Sequence, residues 1–301
     1  MMLIVYEDGK LIYDNVWNDH PELWSGLFSR CTKNGSIIKY LETLLPNNSI
    51  CVIPRSDGDN FIHSSKTLGI IKPELRPFYD KAKELNKIFI ICTLAQSFNE
   101  FDIDESIHYL YLPLDETLFD NGAIDYFKND LIEWENKSDD IVYRGGCSNI
   151  LRYNAVMKNY KKYPNFLLSK CWHENKNYPE YVFGERLDYK EFIKYKAFFI
   201  IDGGIIASNH MWGFCIKSIP IIISRAECWF TEYAIENFHY IRIKYDLSDF
   251  DEKIEWIKNN DKIAKKIGEN AYEFAKKYFT SEFQKEYIKT KIEKIINKSS
   301  S

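Results

Sequence analysis

The sequence lacks the short motifs through which nucleotide and metal sites are usually recognised. It contains no G-x-G-x-x-G, no G-x-x-x-x-G-K, no C-x-x-C and no H-E-x-x-H. The first two absences exclude the common dinucleotide and P-loop phosphate cradles, and the last two exclude familiar thiol and zinc spacings. A phosphate bound by this chain must be held by some other arrangement of glycines, arginines and helix N-termini.

Positive charge and long apolar runs are also scarce. The formal net charge is −4, which argues against nucleic-acid binding because proteins that bind the phosphate backbone usually carry a basic surplus. No apolar run approaches the length of a membrane span, and the first residues do not resemble a signal peptide. The seven cysteines are dispersed, as is typical of reduced thiols. We therefore expect a cytoplasmic protein.

The C-terminal stretch that begins at Lys265 is basic and amphipathic. We expect a solvated helix face here, and peripheral membrane contact is the less favoured alternative.

Strands alternate with helices along the 301 residues, which is more chain than one compact core usually holds. Apolar runs such as "SICVIP", "AFFIID" and "IPIIIS" indicate buried strands of parallel sheets that helices cover on both faces. We predict an α/β protein with two Rossmann-like domains facing a cleft and C-terminal helices packing across. The predicted boundaries are residues 1–135, residues 136–278, and a returning helix and tail at residues 279–301.

Two glycine turns follow buried strands in the second half of the chain. The stretch "DDIVYRGGCSNILR" leads from a strand through Arg144, Gly145 and Gly146 into a helix that carries Arg152. Glycines let the backbone approach an anion closely, and the next helix offers free N–H groups and the positive end of its dipole. This pattern favours a diphosphate, although each glycine pair read alone is equally typical of a plain turn.

The second turn is the stretch "IIDGGIIASNHMWGFCIKS", in which the glycines are Gly203 and Gly204. We predict that the chain becomes helical after it. The candidate phosphate-binding residues of this second loop are Gly204, Ala207, Ser208, Asn209 and His210.

Acidic residues follow the strand "SICVIP" in the loop "RSDGDN". A carboxylate at the carboxyl edge of a sheet can act as a general base when it is partly desolvated. Asp57 is the candidate, whereas Asp59 is better explained by the Asp-Gly turn. The D-x-D pairs, which are Asp57/Asp59, Asp102/Asp104 and Asp249/Asp251, leave a metal-dependent site open as an alternative.

Three stretches in the same order resemble one family. They are "IVYRGG" with Arg152, "YKAFFIIDGGIIAS", and "FHYIRIKYDLSDFDEKIEWIKNNDKIAKKIGENAYEF". Together they look like glycosyltransferase family 90, which includes protein O-glucosyltransferases and fungal capsule-associated xylosyltransferases. The resemblance extends from about Asp125 to Tyr278. It implies a GT-B fold, a UDP-sugar donor, and inversion at the anomeric carbon with no essential metal or other cofactor.

The resemblance also implies roles for particular residues. Gly145, Gly146 and Arg152 match positions that hold the UDP diphosphate, and Ala207 and Ser208 match the second nucleotide loop. The stretch "CVIPRSD" matches the strand that ends in the catalytic base, which assigns that role to Asp57. The stretch "LYLPLDE" adds Pro113 at the nucleotide-sugar pocket. One departure is His210, which stands where family members often have an arginine.

These observations predict an inverting transferase that moves a glucose- or xylose-type sugar from a UDP-sugar to a hydroxyl of a glycan or protein acceptor. A metal-dependent D-x-D transferase and a non-catalytic relative that binds glycan or nucleotide remain the alternatives.

Overall fold

A computed structural model describes residues 3–14, 35–54, 75–93, 95–97, 106–113, 116–147, 149–170, 178–203 and 206–299. The chain divides into two compact units. The first unit comprises Met1–Asn121, Ala226–Thr231 and Ser281–Ser301, and the second comprises Gly122–Arg225 and Glu232–Thr280. No helix in these described ranges is both long and apolar enough to cross a membrane.

The first unit is built on a five-stranded mixed sheet in the order β2-β1-β3-β4-β6. Its strands are β1 Leu3–Glu7, β2 Lys10–Asp14, β3 Ser49–Pro54, β4 Ile88–Thr93 and β6 Ile107–Tyr111, and β5 Ala95–Ser97 pairs separately with β12 Ala226–Cys228. Its helices are α1 Ser36–Glu42, α2 Arg76–Glu84, α3 Glu116–Asn121 and α8 Ser281–Ser299. The pairs β3/β4 and β4/β6 are parallel, but β1 runs antiparallel to both its neighbours. The prediction of parallel sheets is therefore wrong for this edge.

The second unit carries a six-stranded sheet in the order β13-β11-β10-β7-β8-β9, with every neighbouring pair parallel. Its strands are β7 Ser138–Gly146, β8 Phe166–Ser169, β9 Phe183–Gly184, β10 Tyr195–Ile201, β11 Ile219–Ile223 and β13 Ile241–Arg242. Its helices are α4 Ile124–Phe127, α5 Ile150–Asn159, α6 Phe250–Asn259 and α7 Asp261–Tyr278.

Each unit has an apolar core between its sheet and its helices. In the second unit, Tyr143 and Phe199 from the sheet lie in one buried cluster with Leu151 of α5 and Phe250 of α6. In the first unit, a separate cluster joins β1, β3, β4 and β6 to α2. Strands packed against helices in both units confirm the predicted α/β class.

The segment after the second glycine turn differs from the prediction. It forms two 3-10 helices, Ser208–His210 and Gly213–Cys215, instead of an α-helix. All residues from 210 to 216 are buried, and Trp212 stacks on Phe198 with a centroid distance of 5.6 Å. A Cβ on Gly213 would lie 2.8 Å from atoms of Phe198 and Ile200. Residues 210–216 are therefore buried on all sides, and the segment has no solvent-exposed face of the kind that a surface α-helix has.

Candidate active site

The strand order of the second unit reverses between β7 and β10. From β7 the chain proceeds to β8 and β9 on one side, then returns to β10 on the other side and proceeds to β11 and β13. In open parallel sheets, ligands bind at such a switch point, outside the carboxyl ends of the strands. Here that position is formed by Gly146 at the end of β7 and by Asp202 and Gly203 after β10. Both predicted glycine turns therefore lie at one edge of the sheet, on neighbouring strands.

Gly145, in the first glycine turn, has no room for a side chain because of its own strand. A Cβ on Gly145 would overlap the hydroxyl and ring of Tyr143, which is buried in the core. Helix α5 begins at Ile150, and the side chain of Asn149 caps it by accepting a hydrogen bond from the Arg152 backbone N–H at 3.0 Å. Local contacts therefore define the end of β7 and the start of α5 separately.

Asn149 also joins the two turns, although it was not among the predicted site residues. Its Nδ2 donates to the Asp202 carbonyl oxygen at 2.7 Å and to the Gly203 carbonyl oxygen. Its position in the sequence could have indicated a structural role, because it comes directly before the apolar start of α5, where asparagine is a preferred N-cap.

Arg152 is 8% exposed and connects the same two turns. Its Nε donates to the Asp202 carbonyl oxygen at 2.8 Å, its Nη2 to the Ile201 carbonyl oxygen at 2.8 Å, and its Nη1 to the Gly146 carbonyl oxygen at 2.9 Å. A guanidinium has five N–H donors, so two remain without a partner among the described residues. Its role at a diphosphate stays a prediction.

Arg144 lies elsewhere. Its Nη1 donates to the carbonyl oxygens of Tyr143 and Asn165 at 3.2 and 3.3 Å. A Cβ on Gly184 of β9 would lie 2.9 Å from its Cζ, and burial lowers the pKa of its guanidinium. Because successive strand residues point to opposite faces, Arg144 leaves β7 on the side away from the Tyr143 ring. The structure thus does not bring Arg144 and Arg152 together on shared partners, and the role predicted for Arg144 at the diphosphate remains untested.

The predicted residues of the second loop differ in how far their side chains are exposed. The Ala207 backbone N–H donates to Nδ1 of His210 at 3.1 Å, and Nδ2 of Asn209 donates to the Phe199 carbonyl oxygen at 3.0 Å. Ala207 and His210 are buried, whereas Ser208 is exposed. Gly204 lies outside the described residues. Among the other predicted residues of this loop, Ser208 is the one whose side chain is most accessible to a ligand.

His210 forms a buried pair with Asp202, at 4% and 5% exposure. Nδ1 lies 3.1 Å from both the backbone nitrogen and the carbonyl oxygen of Ala207, and Nε2 lies 4.0 Å from Oδ1 of Asp202. Burial raises the pKa of Asp202 to about 6. Burial also lowers the pKa of His210 to about 4, and Arg152 and Arg242 lower it further, whereas a hydrogen bond from the ring to the backbone of Ala207 acts in the opposite direction. At neutral pH the imidazole is therefore uncharged and directed at a carboxylate.

The two shifts act on stability in opposite directions over one pH range. The folded-state pKa of His210 is lowered from 6.5 to about 4, so its contribution is present above pH 6.5 and is lost as the pH falls through 4. The folded-state pKa of Asp202 is raised from 3.8 to about 6, so its contribution is present below pH 3.8 and is lost as the pH rises through 6. Each amounts to about 3 kcal/mol, and in the wild type they largely cancel.

We expect single substitutions to expose each contribution. Relative to the wild type, the unfolding free energy of Asp202→Asn should rise between pH 4 and 6.5, and that of His210→Asn should fall between pH 4 and 6. Urea unfolding at a series of pH values measures both slopes. Two variants with the same pH dependence as the wild type would show that this pair does not titrate as described.

The described residues contain no group of three or more histidine, cysteine, aspartate or glutamate side chains placed to hold a metal ion. In the D-x-D pair of α6, Oδ1 of Asp249 accepts from the Lys244 backbone N–H at 2.9 Å, and Asp251 forms an ion pair with Lys162 at 2.8 Å. Asp249 is the residue before α6, and Asp251 lies in its first turn, where a negative charge interacts favourably with the helix dipole. The D-x-D pairs at Asp57/Asp59 and Asp102/Asp104 lie outside the described ranges.

The remaining predicted residues belong to the first unit. Pro113 follows β6 at the carboxyl end of the sheet and is buried. Asp57 comes three residues after the end of β3 and lies outside the described residues. The predicted roles of both remain predictions.

Comparison with known proteins gives matches in sequence and in fold. The model of the family described as Glycosyl transferase family 90 matches residues 125–297. Protein O-glucosyltransferase 3 of Rattus norvegicus is 26% identical over 140 residues, which are 44% of this chain and 27% of that protein. Uncharacterized protein 179R of Invertebrate iridescent virus 6 is 31% identical over 110 residues, which are 34% of this chain and 9% of that protein. The chain therefore spans about a quarter or less of the length of these relatives.

The crystal structure of a GtfA/B complex is similar with a TM-score of 0.50 and 11% identity, over 89% of this chain and 56% of that one. At this identity the likeness concerns the fold alone, and it confirms the GT-B class that the sequence predicted.

Proposed function

This chain belongs to glycosyl transferase family 90, and from that premise we propose that it transfers a sugar from a UDP-sugar to a hydroxyl of a glycan or protein acceptor. The sugar is of the glucose or xylose type, and the anomeric carbon is inverted. The observation that carries the donor proposal is the switch point between β7 and β10, where Asn149 and Arg152 hold two glycine turns together.

The geometry of this edge suits a leaving diphosphate. Helix α5 begins four residues after the end of β7, and Asn149 caps the N–H of Arg152 while the first N–H groups of a helix favour anions. Arg152 adds a fixed positive charge whose two remaining N–H groups can donate to phosphate oxygens. Ser208 adds an exposed hydroxyl on the neighbouring loop.

In the proposed reaction, Asp57 takes the proton of the acceptor hydroxyl. The hydroxyl oxygen then forms a bond to C1 of the sugar from the face opposite the nucleotide. The bond from C1 to the diphosphate oxygen breaks, and UDP leaves with the electron pair. Preorganised donors aimed at such developing charge are typically worth about 3 kcal/mol each.

A screen of nucleotide sugars tests this proposal. UDP-glucose and UDP-xylose, with GDP-mannose as the mismatched nucleotide, would be compared for hydrolysis and for protection against thermal unfolding. Protection by UDP-sugars together with turnover supports the proposal. Protection without turnover on any glycan or protein acceptor would favour the non-catalytic relative, and the absence of protection would contradict the UDP donor.

We expect turnover to persist in excess EDTA, because arginine and helix N-termini supply the positive charge that a cation otherwise provides. The measurement is the transfer rate before and after exhaustive chelation. Loss of the rate with EDTA, and its recovery with Mn²⁺ or Mg²⁺, would instead favour a D-x-D metal site.

A further inference from the structure

The arginines at this edge differ in how far their charge is available. Arg152 is buried and donates to three backbone carbonyl oxygens. Arg242 pairs with Glu236, with its Nε 3.3 Å from Oε2, and its Nη2 donates to the Tyr240 hydroxyl at 2.9 Å. Neither guanidinium is both exposed and unneutralised.

Arg225 is different. It follows β11, the neighbour of β10, by two residues, and it is exposed. Its guanidinium has no ion-pair partner among the described residues. Its Cζ lies 4.2 Å from the centroid of the Tyr245 ring, so the planar face is covered while the N–H groups at the edge stay available. A guanidinium held in this way is suited to two parallel hydrogen bonds with phosphate oxygens.

The backbone of Arg225 is tied to the glycine turns. Its N–H donates to Oδ2 of Asp202 at 3.0 Å, and the carbonyl oxygen of the same Asp202 accepts from Arg152. The register places Ile201 opposite Ile223, so both strands end at one level. One buried residue therefore fixes the position of Arg225 relative to Arg152 and Gly203.

We propose that Arg225 binds the diphosphate of the donor and supplies the positive charge that the buried His210 does not. Asp202 and Tyr245 are positioning residues, because they hold the backbone and the face of Arg225. This inference rests on the proposed UDP donor and adds a residue that specifies its phosphates.

Calorimetric titration of the full chain with UDP and with uridine, at one fixed salt concentration, tests the inference. Arg225→Gln should weaken UDP binding by about 10- to 100-fold, as for loss of a charge-assisted contact, and leave uridine binding unchanged. Arg186 provides the matched control, since it is exposed and follows β9 by two residues at the same edge of the sheet. Arg186→Gln should bind UDP within twofold of the wild type.

Tyr245 is tested in the same titration. Tyr245→Leu should weaken binding of UDP but not of uridine, and Tyr245→Phe, which keeps the ring, should restore UDP affinity. Wild-type UDP affinity in Arg225→Gln would overturn the inference and leave the proposed function intact. Failure of the wild-type chain to bind UDP would overturn both, and equal losses for UDP and uridine would reduce Arg225 to a structural role and overturn the inference.

Discussion

An Asp57→Asn enzyme is expected to bind its UDP-sugar with nearly wild-type affinity and to transfer sugar about 10²–10⁴-fold more slowly. The amide has the size of the carboxylate and keeps one acceptor oxygen, but it cannot take the proton of the acceptor hydroxyl. The position of Asp57 supports this role, because it comes three residues after the carboxyl end of β3, where open α/β sheets place their ligands. Steady-state transfer rates and calorimetric UDP affinities give the two measurements.

Asp59→Asn is the control for this experiment. It belongs to the same sequence stretch, "RSDGDN", and changes the charge by the same amount, but the sequence predicts that Asp59 belongs to the turn that Gly58 indicates. It should transfer sugar at close to the wild-type rate. If Asp57→Asn transfers at the wild-type rate, or if Asp59→Asn is the inactive variant, the assignment of the base is wrong.

The buried strands of the second unit were predictable from the sequence because their apolar runs have a simple physical cause. Strands such as "AFFII" and "IPIII" are buried along their whole length, so every side chain in them is apolar. The glycine turns were predictable for a related reason, since a strand that ends in glycines before a helix indicates close approach to an anion. These signals are local, and the structure places both turns at one edge.

The contacts that define the candidate site were not predictable, because they join residues far apart in the sequence. The sequence pattern around Arg152 is the same whether or not its guanidinium donates to the carbonyl oxygens of Ile201 and Asp202. The burial of His210 depends on the all-round packing of a segment that the sequence analysis predicted to be helical. Arg225 follows a strand that was predicted, so its position at the carboxyl edge of the sheet could be predicted from the sequence. Its stacking on Tyr245 could not.

The distribution of charge at this edge follows from these contacts. From the sequence alone, His210 in place of an arginine indicates a weaker hydrogen-bond donor to phosphate. In the structure it is instead an uncharged imidazole buried beside the carboxylate of Asp202, whose other oxygen orients the backbone of Arg225. The change at one position is therefore compatible with an intact donor site, provided that another cation contacts the phosphates.

Arg152→Ala is expected to lower both the stability of the chain and its affinity for UDP. The substitution removes a donor from the buried carbonyl oxygens of Ile201 and Asp202 and from the partly buried carbonyl oxygen of Gly146. An unsatisfied buried acceptor costs about 1–3 kcal/mol, and Asp202 keeps its bond from Asn149, so we expect a loss of about 2–4 kcal/mol in unfolding free energy. If Arg152 also contacts the diphosphate, the free energy of UDP binding should weaken by about 1.5–3 kcal/mol, which is a loss of roughly 10- to 100-fold in affinity.

Asn149→Ala separates the two effects, because it removes the cap of α5 and its bonds to Asp202 and Gly203 while keeping the charge of Arg152. Urea unfolding gives the stability of both variants, and calorimetry at a temperature where both are folded gives their UDP affinity. A purely structural Arg152 would make both variants lose affinity in proportion to their loss of stability. A diphosphate-binding Arg152 would make Arg152→Ala lose at least tenfold more affinity than Asn149→Ala at equal stability. An Arg152→Ala variant as stable as the wild type would contradict the buried network itself.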